Sequence, residues 1–274
     1  MDTQMDARKA ATSQAAFSLS SMLLPLVLAQ FICSYAGSSM NVAVSNMAHD
    51  LGTTVYGIQA VITLFTLTMA VLMIPGSKLT DIWGRKTCFV IGLALYGLGA
   101  LISAFAPTVG VMMFGNSLLE GVGSALMIPP IYILVTVSFA DLTTRAKSFG
   151  VISGAAGLGA ATGPLIGGLI TSAISWRASF LLQVLVIAAI IVLRRRIPDP
   201  GIRGATPHFD VTGAVLSGAG LFVVVLGILE TGTYGWVTAR EDFTLAAAEG
   251  PAPSGLGMNA ASPAGEHQMC HTVC

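Results

Sequence analysis

Along this chain, apolar runs long enough to cross a bilayer alternate with short polar breaks. A spanning helix needs about 20 mainly apolar residues, and seven stretches qualify: residues 21–46, 55–74, 88–106, 109–139, 149–174, 180–193 with its flanks, and 211–229. After Phe243 the pattern stops, and Ala, Gly, Pro and Ser take over. That final stretch reads as disordered. The expected fold class is an all-α membrane protein: a six-helix bundle plus a seventh transmembrane helix.

Charge then orients the helices. Only 9% of residues are charged and 54% are hydrophobic, against about 25% charged in a soluble domain. All but Arg177 and Arg240 of the 13 basic residues fall in the N-terminal segment or after the second, fourth and sixth runs. Lysine and arginine stay on the cytoplasmic side, so the N-terminus is expected inside. The division is a cytoplasmic tail 1–20, a six-helix bundle 21–196, a cytoplasmic linker 197–210, a seventh helix 211–231 and an extracytoplasmic tail 232–274. The first apolar run is too long for a signal-peptide core, and the expected location is the plasma (inner) membrane. Zero net charge gives no field for nucleic acid. The four cysteines lack framework spacing.

Three faces carry candidate chemistry. Helix one places Ser34, Ser38, Asn41 and Ser45 at helical spacing, and helix two Gln59, Thr63 and Thr66. Such stripes line a cavity or a helix contact, or their hydroxyls bond back to their own helix carbonyls; the second option suits Asn41 and Gln59 less. Helix four carries Ser117, Glu120 and Ser124, continued by Met127. A charge at mid-span costs on the order of 3 kcal/mol or more unless it is paired or protonated. Glu120 therefore reads as a protonatable or cation-binding carboxylate in a central cavity, with a neutral structural acid as the alternative.

Helix five is densest in glycine. Gly159, Gly163 and Gly167 recur every four residues, and Gly150, Gly154, Gly157, Ala161, Pro164 and Gly168 form a second small-residue face. Small residues let helices touch at backbone distance, and Pro164 permits a kink. Between helices two and three lies GSKLTDIWGRK, 76–86, a charged loop in which Gly84 allows a sharp turn.

These residues resemble the major facilitator superfamily, and within it the fourteen-span drug:proton antiporters. The family loop Gly-x-Leu-x-Asp-x-x-Gly-Arg-Lys is matched by Leu79, Asp81, Gly84, Arg85 and Lys86, with Ser77 at the first glycine. The antiporter motif Gly-x-x-x-Gly-Pro-x-x-Gly-Gly is matched by Gly159, Gly163, Pro164, Gly167 and Gly168. The resemblance implies a cytoplasmic latch at the loop, a hinge in helix five and two bundles rocking about a midplane site. It implies proton-coupled export of amphipathic drugs or similar small molecules, while the polar faces and the lone mid-span acid make Glu120, Asn41, Ser38, Gln59 and Ser117 the expected proton or substrate site. The proton gradient supplies the energy, and no cofactor or metal is implied. The partners expected are a small-molecule substrate, the lipid bilayer and a second copy or half.

Three departures qualify this. Ala36 and Ser45 stand at the Asp and Pro positions of the helix-one motif, and Ser117 at the Arg position of the helix-four motif. The chain is also about half the length that fourteen helices need, so a truncated product is expected. It would be either a transporter or a half that transports nothing unless it pairs. The tail places His267, Cys270, His271 and Cys274 at helical spacing, which is not a common zinc pattern. No acid and base pair and no phosphate loop are visible, so an enzyme is not expected.

Overall fold

The computed structural model describes residues 2–139, 141–194, 212–214, 216–225 and 227, with side chains from residue 22 onward. Six helices are long and apolar enough to cross a membrane. They are α1 (Asp2–Asp50, apolar from Met22), α2 (Val55–Trp83), α3 (Arg85–Ala104), α4 (Val109–Ser138), α5 (Leu142–Ala173) and α6 (Trp176–Leu193). A further apolar helix, α7 (Thr212–Val225), is shorter than a span, and the expected span 211–231 runs beyond the described residues. The expected tails and linker from residue 195 on, with the His267–Cys274 cluster, also lie outside them apart from α7 and residue 227.

Helix starts follow local sequence. Thr54, Thr108, Asp141 and Ser175 each stand in extended conformation before α2, α4, α5 and α6, and their side-chain oxygens accept a first-turn backbone N–H. Such caps satisfy donors that have no partner within the helix. Between α1 and α2, Gly52 has φ +60°, which any other residue would adopt with strain.

The structure corrects the loop expected at 76–86. Residues 76–83 are the last two turns of α2, which runs through Pro75, and α3 starts at Arg85. Only Gly84 breaks the helix, with φ +90°. Apart from proline, helix formers hold the α conformation until a residue that tolerates positive φ permits the reversal. Polarity of Lys78 and Asp81 ends the apolar run but not the helix.

α1 packs along α5 and α6, α3 along α4 and α6, and α2 along α4. Two apolar clusters fill the interior. One holds Leu26, Ile32, Phe89, Leu93, Met127, Ile131 and Leu134, and the other Met47, Ile58, Val61, Met112, Trp176 and Phe180. Along α1, α4 and α6 the polar residues Ser39, Asn116, Ser117, Glu120, Ser124, Ser179 and Gln183 are buried as well.

Candidate functional site

The glycine row of α5 is the contact with α1. Added Cβ atoms would strike Phe31 O at Gly159 and Ser38 Oγ at Gly163, and would meet Ser39 Cβ at 2.5 Å at Gly167. All three glycines are buried. At Gly163–Gly167 the helix widens into a π turn, which accommodates the missing donor of Pro164. Ser38 joins this contact: its hydroxyl donates to Ser34 O at 3.0 Å and lies 3.4 Å from Gly159 O. The second small-residue face is open instead. Gly150, Gly154, Gly157, Ala161 and Pro164 are exposed, and nothing lies within 4 Å of a Cβ built at the three glycines.

The two polar stripes divide. Asn41 is exposed and its Nδ2 donates to Gly37 O at 2.8 Å, so it bonds back to its own helix although an amide suits this less than a hydroxyl does. Thr66 does the same to Ile62 O at 3.1 Å. Gln59 is exposed. Neither Asn41 nor Gln59 is hydrogen-bonded to Glu120, both of whose carboxyl oxygens are without a partner.

Helix α4 gathers the rest. It is π-helical over Met113–Glu120, a geometry frequent at functional sites. This stretch buries Gly115, Asn116, Ser117 and Glu120. Ser117 donates to Val61 O at 2.7 Å, tying α4 to α2. Glu120 is 0% exposed. The expected central cavity does not reach it: its side chain packs against α3, where a Cβ on Gly99 would come within 2.8 Å of Glu120 Cγ. Asn116, Ser103 and Tyr96 face its carboxyl, yet neither carboxyl oxygen makes a hydrogen bond of ordinary geometry. Tyr96 Oη donates instead to Gln183 Oε1 at 3.3 Å, and Cys33 Sγ lies 3.9 Å from Ser124 Oγ.

Sequence reasoning missed Ser103, Asn116, Tyr96 and Gln183. Asn116 was findable as a polar residue one turn before Glu120; the others lie on α3 and α6 and needed the packing. It also missed a tie between α1 and α6: Asp50 Oδ2 accepts from Trp176 Nε1 at 2.9 Å and Arg177 Nη1 at 3.1 Å, while the Arg177 guanidinium lies 4.3 Å from the Trp176 ring centroid.

At the Gly84 break, Asp81 is exposed, and Leu79, Gly84, Arg85 and Lys86 are half-buried. Asp81 and Arg85 form no ion pair among the described residues. Gly168 is half-buried, 3.4 Å from Val42 Cγ1 by its built Cβ.

A family model described as Major Facilitator Superfamily matches residues 26–265. The chain belongs to that superfamily. Among curated major facilitator proteins it is 33% identical over 204 residues to the probable actinorhodin transporter of Streptomyces coelicolor, covering 73% of this chain and 35% of that protein. It is 28% identical over 216 residues to the methylenomycin A resistance protein of Bacillus subtilis, covering 79% and 46%. It is 31% identical over 226 residues to the tetracenomycin C resistance and export protein of Streptomyces glaucescens, covering 81% and 42%. The chain thus spans less than half the length of these relatives. A solved peptide transporter POT in complex with sulfate superposes with TM-score 0.60 at 19% identity, over 81% of this chain and 48% of that one; at this identity the likeness is one of fold.

Proposed function

We propose that this chain is the first helix bundle of a major facilitator exporter of amphipathic small molecules, driven by protons through Glu120. The observation that carries the reading is a fully buried acid with no hydrogen-bond partner, in a bundle whose relatives are named for antibiotic export and resistance. A carboxyl so placed is stable only when neutralised. Ala36 and Ser117 carry no charge, so Glu120 is the acid left to serve coupling. Ser38, held between α1 and α5, positions the α1 contact, while Asn41 and Gln59 remain on the exposed side as substrate-facing groups. Asp81 and Arg85 form the latch at the inner end, with the N-terminus cytoplasmic and the bundle in the plasma membrane. The test is drug efflux from proteoliposomes under an imposed proton gradient. Gradient-driven flux is expected from the chain, and Glu120→Gln is expected to abolish its pH dependence; unchanged efflux in that variant sinks the coupling role.

A second reading has its own observation, the open small-residue face of α5. In it the chain transports only when that face is covered by a second bundle, either another copy or a separate half. Blue-native electrophoresis beside the flux assay separates the two: flux from monomers favours the first reading, and flux confined to a paired species favours the second.

A further inference from the structure

Tyr96 has one hydroxyl proton and two acceptors facing it. Its Oη donates to Gln183 Oε1 at 3.3 Å, and the Glu120 carboxyl faces the same hydroxyl. Backbone contact between α3 and α4 fixes this arrangement. A Cβ on Gly99 would come within 2.8 Å of Glu120 Cγ, and one on Gly123 within 2.6 Å of Tyr96 N. Tyr96 and Gly99 stand one turn apart on α3, as Glu120 and Gly123 do on α4, so the two pairs meet antiparallel. Glu120, Tyr96 and Gln183 are 0%, 0% and 2% exposed, which leaves the three groups to satisfy one another without bulk water.

A hydroxyl carries a single hydrogen to donate, so the stronger acceptor takes it. The bond to Gln183 is longer than the about 2.7 Å usual for O–H···O. With the tyrosine on the amide and both carboxyl oxygens unbonded, the described arrangement is that of the neutral acid. Loss of the Glu120 proton reverses the preference, because a hydrogen bond to an ionised acceptor is roughly twice as strong as a neutral one. A buried carboxylate draws on every donor that faces it, here Ser103, Asn116 and Tyr96. Gln183 Oε1 then lies buried without its donor, which is unfavourable, and a side-chain bond joining α6 to α3 is gone. We propose that Tyr96 is a positioning residue that passes its one hydrogen bond from Gln183 to Glu120 when Glu120 ionises, and so frees α6 from α3. The inference rests on Glu120 as the coupling acid and names the helix that responds to it.

The surroundings leave Glu120 as the group that sets this exchange. Among the described residues, the titratable side chains that face it are Tyr96 on α3 and Cys33 on α1, both neutral near pH 7 by their ordinary values. On α2, α4, α5 and α6 no titratable or charged side chain faces it.

Infrared difference spectra of the full purified chain with ring-labelled tyrosine, between mildly acidic and mildly alkaline buffer, test the exchange. Loss of a protonated-carboxyl C=O band is expected together with a shift of a tyrosine C–O band, the two sharing one midpoint. Glu120→Gln is expected to abolish both changes, and Tyr96→Phe to abolish the tyrosine shift while the carboxyl band still titrates. Helix movement is read by pulsed EPR between nitroxides at Leu98→Cys on α3 and Leu185→Cys on α6, both exposed positions. The four native cysteines are replaced in that chain, which also removes Cys33 as a titrating group. The distance distribution is expected to broaden as pH rises, to stay narrow at every pH in Glu120→Gln and to stay broad in Tyr96→Phe. The infrared measurement needs no cysteine change and decides alone where the labelled chain does not fold. The proposal is overturned if the tyrosine shift survives Glu120→Gln, or if the distances are the same at every pH. A carboxyl band that titrates without the tyrosine band removes the Tyr96 exchange and leaves coupling standing. Efflux unchanged in Glu120→Gln while both bands move in the wild type does the reverse.

Discussion

Gly163 and Gly157 lie in one helix and have opposite tolerance for a side chain. A Cβ at Gly163 would strike Ser38 and come within 2.9 Å of Tyr35 O, whereas at Gly157 nothing lies within 4 Å. Gly163→Leu must therefore push α1 from α5, and overpacking of this kind costs about 1–3 kcal/mol. Thermal unfolding in detergent is expected to show that loss. Gly157→Ala is expected to stay within about 0.5 kcal/mol, like other open-surface changes. An equal loss in both would mean that the two faces of α5 are packed alike. Glu120 makes the same point for polar chemistry. Its sequence neighbours identify an intramembrane acid, but only Gly99, Ser103 and Tyr96 on α3 give it a closed environment.

At the scale of the element, caps and breaks set where the helices begin and turn. Asp141 caps α5: the Thr144 N–H and Thr144 Oγ1 both donate to its Oδ2 at 2.8 Å, and the backbone bond chiefly holds its carboxyl below the usual carboxylate range. A lowered value in the folded chain means that the ionised cap stabilises the fold above the ordinary carboxylate range. That contribution disappears as pH falls through the lowered value. Melting of the wild-type chain is expected to drop as pH falls below the ordinary carboxylate range by more than that of Asp141→Asn. The amide keeps an acceptor at the cap and does not titrate there. Parallel curves for the two proteins would remove Asp141 from the acid response. At the other break, the α2–α3 reversal at Gly84 is confined to one residue, so Asp81 and Arg85 are carried by adjoining helix ends rather than by a free loop. A latch partner would meet them on two helices whose directions are already fixed.

For the whole molecule, the distribution of lysine and arginine predicts that the Gly84 end lies inside. Single cysteines, placed in a chain whose own four cysteines are replaced, check this by labelling with an impermeant maleimide on intact cells. A cysteine at Gly52 or Thr108 is expected to react from outside, and one at Lys78 or Lys147 only after the cells are opened. The reverse pattern would invert the whole arrangement, because the six spanning helices alternate in direction. The tie of Asp50 with Trp176 and Arg177 fastens α6 to α1, and the predicted orientation would put it at the outer end.

What the amino-acid sequence determined by itself was the all-α membrane class, six of the seven expected spans and two motifs that resemble those of the superfamily to which the chain belongs. These rest on composition, on run length and on residues within a few positions of one another, so they can be read locally. It also singled out Glu120, since an acid inside an apolar run is conspicuous without any fold. Helix ends were less legible: polarity at Lys78 and Asp81 suggested a loop, but backbone conformation, not polarity, ends α2. Tertiary structure decided which faces were covered. Two rows of small residues on α5 look alike in sequence, and only packing against α1 makes one a contact and leaves the other open. It decided equally that Asn41 bonds to its own helix, while Glu120 shares a closed layer with Ser103 and Asn116. Those groups come together because α3 and α4 approach through Gly99 and Gly115, a juxtaposition that no local pattern encodes.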